Sequence, residues 1–241
     1  MILLGLDTAT NATAVALRLS SGELREARDD ARAGEHPGHA TRLLAMAREL
    51  LDEAGIGWSS IERIAVGAGP GTFTGLRVGV ASARGLAQSL DVELLAVPSL
   101  RALALPAIAT LSGSDEAVAT IDARRGEVFV AAFDASGAPV TQAVALAPRD
   151  LGEWLAAREA RRRLAIGDGA VRYRELLREA GLDVPEQSSP LHLLRAGAIC
   201  ELAGEQAASS ESYQRVLPDY GRRPDAELAL DGAASGQTAG S

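Results

Sequence analysis

Apolar and polar positions follow two different periods along this chain. Residues 2–7 and 13–19 are apolar runs separated by a polar turn at 7–11, and Gly22 opens a third segment. That pattern predicts a strand–turn–strand–turn–strand meander. Beyond it the period lengthens. Leu43, Leu44, Ala47, Leu50, Leu51 and Ala54 recur at helical spacing and form one stripe of a helix over 36–54, which Gly55 ends. Residues 64–66 read as a buried strand, 73–90 as a helix and 93–97 as a strand closed by Pro98. The first part of the chain is therefore βββαβαβ.

The same order then begins again. Residues 116–121 and 127–133 form a hairpin around 122–126, and 143–146 a third strand. A helix over 149–158, a strand at 163–166 and helices over 171–180 and 191–206 follow. A repeated βββαβα order predicts an α/β fold of two lobes, each a mixed sheet with helices. It is similar to the actin, Hsp70 and sugar-kinase (ASKHA) plan, in which two lobes face a nucleotide cleft. The repeat is legible in element order only. The expected division is a first lobe over 1–98 and a second over 99–223, whose late helix 191–206 packs back on the first. The Gly-, Ala- and Ser-rich stretch within 224–241 reads as a disordered tail.

Composition narrows the classes. Apolar residues make up 47% of the 241 residues, enough for a sizeable core, and no apolar run is long enough to span a membrane. Residues 1–7 lack a basic segment and reach Asp7 at once, so they read as a strand and not as a signal peptide. Cys200 is the only cysteine; it sits in an apolar helical run and reads as core filler, in keeping with a reducing cytoplasm. The net charge of −8 argues against broad nucleic-acid binding. All 24 basic residues are Arg. With no lysine, neither P-loop nor Schiff-base chemistry is open to the chain.

The stretch GAGPGTFTGLRVG, residues 67–79, carries the most specific chemistry. Four glycines and a proline fall within the nine residues 67–75, between a strand and a helix. Such a loop lets a backbone or ligand approach closely, and the following helix start can hold an anion. Its spacing matches neither a Walker A loop nor a dinucleotide fingerprint, since Thr72 stands where the third glycine would fall. The residue order closely resembles the signature of two related bacterial families that make threonylcarbamoyladenosine in tRNA: catalytic TsaD and its catalytically silent paralogue TsaB (YeaZ-type). Residues 97–100, 122–129, 167–169 and 218–220 resemble further landmarks of the group. TsaD carries a histidine pair four residues apart, shortly after the strand that follows the signature helix, and that pair holds its metal. This chain has no histidine between His39 and His192. The resemblance is therefore to TsaB.

That resemblance implies a non-catalytic subunit with no catalytic residues and no metal site. It would bind TsaD as a heterodimer, join TsaE in a larger complex, meet tRNA indirectly and pair with itself when alone. The helices 36–54 and 72–90 would supply the interface, through His39, Leu43, Met46, Leu50, Phe73, Arg77, Val78, Ala81, Ser82 and Gly85. Gly75 and Gly79, one turn apart, would let a second helix approach. No cofactor is expected to bind tightly, with weak ATP or ADP at the partner interface at most.

The competing reading is a small ASKHA-type ATPase or kinase using Asp7 and the 67–75 loop. It places Asp7, Thr8, Thr10, Gly69, Gly71 and Thr72 near a nucleotide. Against it, Ala9 adds a Cβ where a phosphate would approach the turn. Asp122 is the best second acid, and Arg124 and Arg125 beside it would pair with it. The paired histidines His36 and His39 stand at a helix start with few acids near them, which favours a cap over a metal site. The clusters Arg161–Arg163 and Arg172, Arg174 and Arg178 read as solvated faces. With 3% aromatics, base stacking is not expected.

Overall fold

The computed structural model of the chain describes residues 1–31, 37–156, 158–206 and 215–221. The meander forms as β1 (Leu3–Asp7), β2 (Ala12–Arg18) and β3 (Leu24–Asp30). It is followed by α1 (His39–Glu53), β4 (Arg63–Gly69), α2 (Phe73–Leu90) and β5 (Glu93–Pro98). These strands order as β3-β2-β1-β4-β5. The meander is antiparallel, and β1, β4 and β5 run parallel. After α3 (Ser99–Ile108) come β6 (Glu116–Arg124), β7 (Glu127–Asp134), β8 (Val144–Leu146), α4 (Leu151–Ala156) and β9 (Arg163–Ile166). They order as β8-β7-β6-β9, antiparallel in the meander and parallel between β6 and β9. Each sheet is thus a meander whose first strand also pairs in parallel with a strand returned by a helical crossover. This is the repeated plan of the ASKHA fold. The short helices α5 (Asp168–Arg172) and α6 (Arg174–Glu179), then α7 (Ala196–Gly204), complete the described chain.

Periodicity explains which faces are buried. Leu43, Met46, Ala47 and Leu50 of α1 and Val80, Ala83 and Ala87 of α2 cover Leu4, Leu6, Val15, Ile64 and Val66 on one face of the first sheet. On its other face α7 lays Ala196, Ile199 and Cys200 against Leu3, Ala14, Ala16 and Ala65. Helix α3 is wedged between the sheets: Leu100, Leu103 and Ala107 pack on Ala117, Ala119 and Ile121 of the second sheet, while Ala102 packs with α7. The outer face of the second sheet is covered from α4, α5 and α6 by Leu151, Leu155, Ala170 and Leu177. Cys200 is fully buried, and that burial pushes its thiol up to about 12, which leaves it an inert core group.

Several elements differ from the sequence expectation for identifiable reasons. The sequence pattern does not predict α3, because its segment is apolar at every position but Ser99 and Arg101 and carries Pro106 inside it. The helix expected over 171–180 is instead two short ones, broken at Tyr173 where φ is −110° and ψ 28°. The helix expected over 191–206 forms as α7 after a single 3₁₀ turn at Pro190–His192. Strand β4 runs on through Gly67 and Gly69, because pairing to β5 outweighs glycine's poor strand propensity. His36, the expected start of the first helix, and the tail 224–241 lie outside the described residues.

Candidate functional site

The glycines of 67–79 are turned toward the chain itself. A Cβ at Gly71 would strike Ala9, one at Gly75 would strike the Thr8 carbonyl oxygen, and one at Gly79 the Thr8 hydroxyl. Gly69 has a φ of +116° and lies against the Asp219 carbonyl oxygen, a position no other residue type fills without strain. Two hydrogen bonds lock the arrangement. Thr72 N donates to Ala9 O at 2.7 Å, and Thr8 Oγ1 donates to Gly75 O at 2.7 Å. The loop therefore clasps the β1–β2 turn. The expectation that Gly75 and Gly79 admit a second helix is corrected: what they admit is Thr8.

Asp7 is sealed beneath this clasp. Ala9 N donates to its Oδ1 at 2.8 Å and Ser99 Oγ to its Oδ2 at 3.1 Å, while Gly69 N donates to Ser99 Oγ at 3.2 Å. Burial raises its carboxyl to about 6, against the pull of the Ala9 amide, the Ser99 hydroxyl and the Arg28 charge. The folded chain therefore holds a proton between pH about 4 and 6 that the unfolded chain has released. Stability falls as pH rises through that window. The loss is about 3 kcal/mol at about 1.4 kcal/mol per unit. Asp7→Asn keeps an acceptor for Ala9 N and cannot ionise. Its stability relative to the parent should rise by about that amount between pH 4 and pH 8, as read by urea melts. A difference that stays flat with pH would contradict this assignment.

Of the residues expected near a nucleotide, Asp7, Thr8, Gly69 and Gly71 are buried in this packing, and Thr72 is half-buried at the start of α2. Thr10 borders a cleft of about 370 Å³ between the sheets. Asn11, Arg28, Asp122, Arg124, Asp168 and Arg172 also line it. Asp122 Oδ2 meets Arg124 Nη1 at 3.2 Å and Arg172 Nη1 at 3.4 Å, and Arg124 Nη2 donates to Asn11 Oδ1 at 2.7 Å across the cleft. Asp168 Oδ1 accepts from Asp122 N at 3.0 Å, and burial raises the Asp168 carboxyl. The sequence pairs Asp122 with its neighbouring arginine correctly; it marks 97–100 and 167–169 as landmarks but does not place Ser99 on Asp7 or Asp168 on Asp122. No group of three or more His, Cys, Asp or Glu placed to hold a metal occurs among the described residues.

The paired helices divide the expected interface residues in two. His39, Leu43, Met46 and Leu50 point into the chain's own core. Exposing a buried leucine forfeits about 2 kcal/mol, so these positions are core, and α1 presents Ala40, Thr41, Leu44, Arg48 and Glu49 outward instead. His39 Nδ1 lies 2.9 Å from Thr13 Oγ1, and burial lowers its pKa. On α2, Phe73, Arg77, Ala81 and Gly85 are exposed and Val78 and Ser82 half-buried. They form one face, because Leu76, Val80, Ala83 and Ala87 take the inner side.

At the start of α2 lies a surface cluster that the sequence does not announce. Tyr220 returns from residues 215–221 to lie 4.9 Å from Phe73, ring centre to ring centre. The Arg77 guanidinium sits 3.7 Å above the Phe73 ring, and its Nε donates to Tyr220 Oη at 3.0 Å. The basic clusters of the second sheet are largely neutralised: Arg161 pairs with Asp115, Arg162 with Asp183, Arg163 with Glu116 and Arg172 with Asp122.

The model of a family described as TsaD, tRNA N6-adenosine threonylcarbamoyltransferase, matches residues 35–172. The chain is 32% identical over 200 residues to the tRNA threonylcarbamoyladenosine biosynthesis protein TsaB of Escherichia coli, across 76% of this chain and 78% of that protein. It is 40% identical over 129 residues to the protein of the same name from Haemophilus influenzae, across 54% of this chain and 52% of that protein. That second alignment spans about half the length of the Haemophilus protein. Among solved structures, YeaZ from Pseudomonas aeruginosa superposes with a TM-score of 0.74 at 32% identity, over 91% of this chain and 99% of that one.

Proposed function

The chain belongs to the TsaB family, and from that premise we propose that it serves tRNA threonylcarbamoyladenosine biosynthesis as a non-catalytic subunit. In this reading it docks on TsaD through the outer face of α2 and its neighbour α1, and supports threonylcarbamoyl transfer to the adenosine beside the anticodon. TsaE joins the assembly, tRNA is met indirectly, and the work is done in the cytoplasm. Among the described residues no helix is long and apolar enough to cross a membrane.

One observation carries the reading. The glycine loop, which a phosphate-binding protein keeps open, is filled by Thr8 and Ala9 of the same chain. The helix it launches keeps a small-residue face outward. The absence of histidine between His39 and His192 supports the non-catalytic role, since that interval includes the place where TsaD has its metal ligands. The alternative, a small ATPase using Asp7 and the 67–75 loop, is weakened by the burial of Asp7 beneath that loop. Any ATP or ADP would bind weakly and at the partner interface.

Reconstitution tests this directly. With TsaD, TsaE, a threonylcarbamoyl donor and tRNA present, modification should depend on adding this chain, and the chain alone should form none. Full modification without it, or transfer by the purified chain alone, would overturn the proposal.

A further inference from the structure

Most described arginines of this chain are matched to a carboxylate: Arg48 to Asp52, Arg63 to Glu93, Arg161 to Asp115 and Arg195 to Glu26 are examples. Arg77 and Arg84 form no ion pair among the described residues. Arg18, Arg101 and Arg174 share that condition, but each stands singly on its own element. Only α2 carries two, and they lie on one outer line of the helix. We propose that this line receives a partner helix bearing two carboxylates two turns apart, one for each arginine. The inference rests on the docking reading above and names the chemistry of the partner at that surface.

Three features support a helix with acids as the occupant. Residues seven apart lie about 10.5 Å apart along a helix axis, so an antiparallel or parallel partner helix with acids at i and i+7 reaches both. Beside the two arginines, Ala81 and Gly85 are exposed and Val78 and Ser82 half-buried, so little bulk stands between the helix backbones. Arg77 is already held: its plane lies over Phe73 and its Nε is spent on Tyr220 Oη, while its terminal nitrogens have no hydrogen bond among the described residues. A guanidinium fixed in this way loses little freedom on meeting a carboxylate and can do so with two parallel bonds. RNA fits less well. The Phe73 ring is covered by Arg77 and flanked by Tyr220, which leaves poor access for a stacked base, and the chain carries a net charge of −8.

The test uses the full chain and purified TsaD from the same organism, titrated calorimetrically at salt between roughly 50 and 500 mM. Parent binding should weaken with salt. Arg77→Glu/Arg84→Glu should bind at least about a hundredfold more weakly at low salt. Arg77→Gln/Arg84→Gln should lose most of the salt dependence while melting close to the parent. If both variants bind TsaD as the parent does, while the neutral Ala81→Gln/Gly85→Gln variant does not bind, docking stands and the acidic-helix proposal falls. If none of the three variants weakens binding, both fall. If the Glu variant loses affinity for tRNA and keeps it for TsaD, the occupant is RNA and the proposal is wrong.

Discussion

Gly75→Ala is expected to destabilise the chain by about 3 kcal/mol, although alanine is the better helix former by about 1 kcal/mol. The reason is what the added methyl meets. Its Cβ would fall inside contact distance of the Thr8 carbonyl oxygen and the Thr72 hydroxyl. Thr8 belongs to the tight turn beneath the loop and cannot give way cheaply. The hydrogen bond from Thr8 Oγ1 to Gly75 O would be displaced as well, at about 1 kcal/mol. Gly85, on the same helix, is the internal control. It is exposed, and a methyl added there would meet nothing within 4 Å, so Gly85→Ala should stabilise by about 0.5 to 1 kcal/mol. Urea denaturation of the two variants should therefore give opposite signs. Equal stabilisation by both would mean that the loop is not clasped on the β1–β2 turn.

That clasp also marks how far the sequence can be read. The glycines at 67, 69, 71 and 75 are conspicuous because nothing in a strand–helix junction requires so many. What fills them is not legible, since Asp7 at Gly67, Ala9 at Gly71 and Thr8 at Gly75 are more than fifty residues away in the chain, and Asp219 at Gly69 farther still. The helical stripes of α1 and α2 are correct as periodicity. A stripe does not say whether a sheet or a partner covers it, and Leu43, Met46 and Leu50 face the sheet. Helix α3 escapes because Pro106 and the apolar run 102–108 around it hide its period. Asp122 and Asp168 meet because β6 and β9 pair in parallel, a contact between segments 46 residues apart. The Phe73–Arg77–Tyr220 cluster is hidden for the same reason: its members come from 73–77 and from 220.

The second large effect concerns the outer face of α2. Ala81→Gln/Gly85→Gln places two long neutral side chains on positions that are exposed in the free chain. Folding should be little changed, within about 0.5 kcal/mol per exposed substitution. In a docked complex the same side chains would overpack a close helix contact, at about 1 to 3 kcal/mol each, and bury amides without partners, at about 1 to 3 kcal/mol. The sum is large enough to weaken binding at least a hundredfold, since about 1.4 kcal/mol is a factor of ten. Neutral side chains keep this test separate from the charge of Arg77 and Arg84.

The most direct measurement is a calorimetric titration of TsaD with the parent chain and with Ala81→Gln/Gly85→Gln, each checked by thermal melt. Docking through α2 predicts a saturable complex with the parent and a loss of at least about a hundredfold in affinity for the variant, at unchanged melting behaviour. No complex with the parent, or equal affinity for both chains, would contradict it.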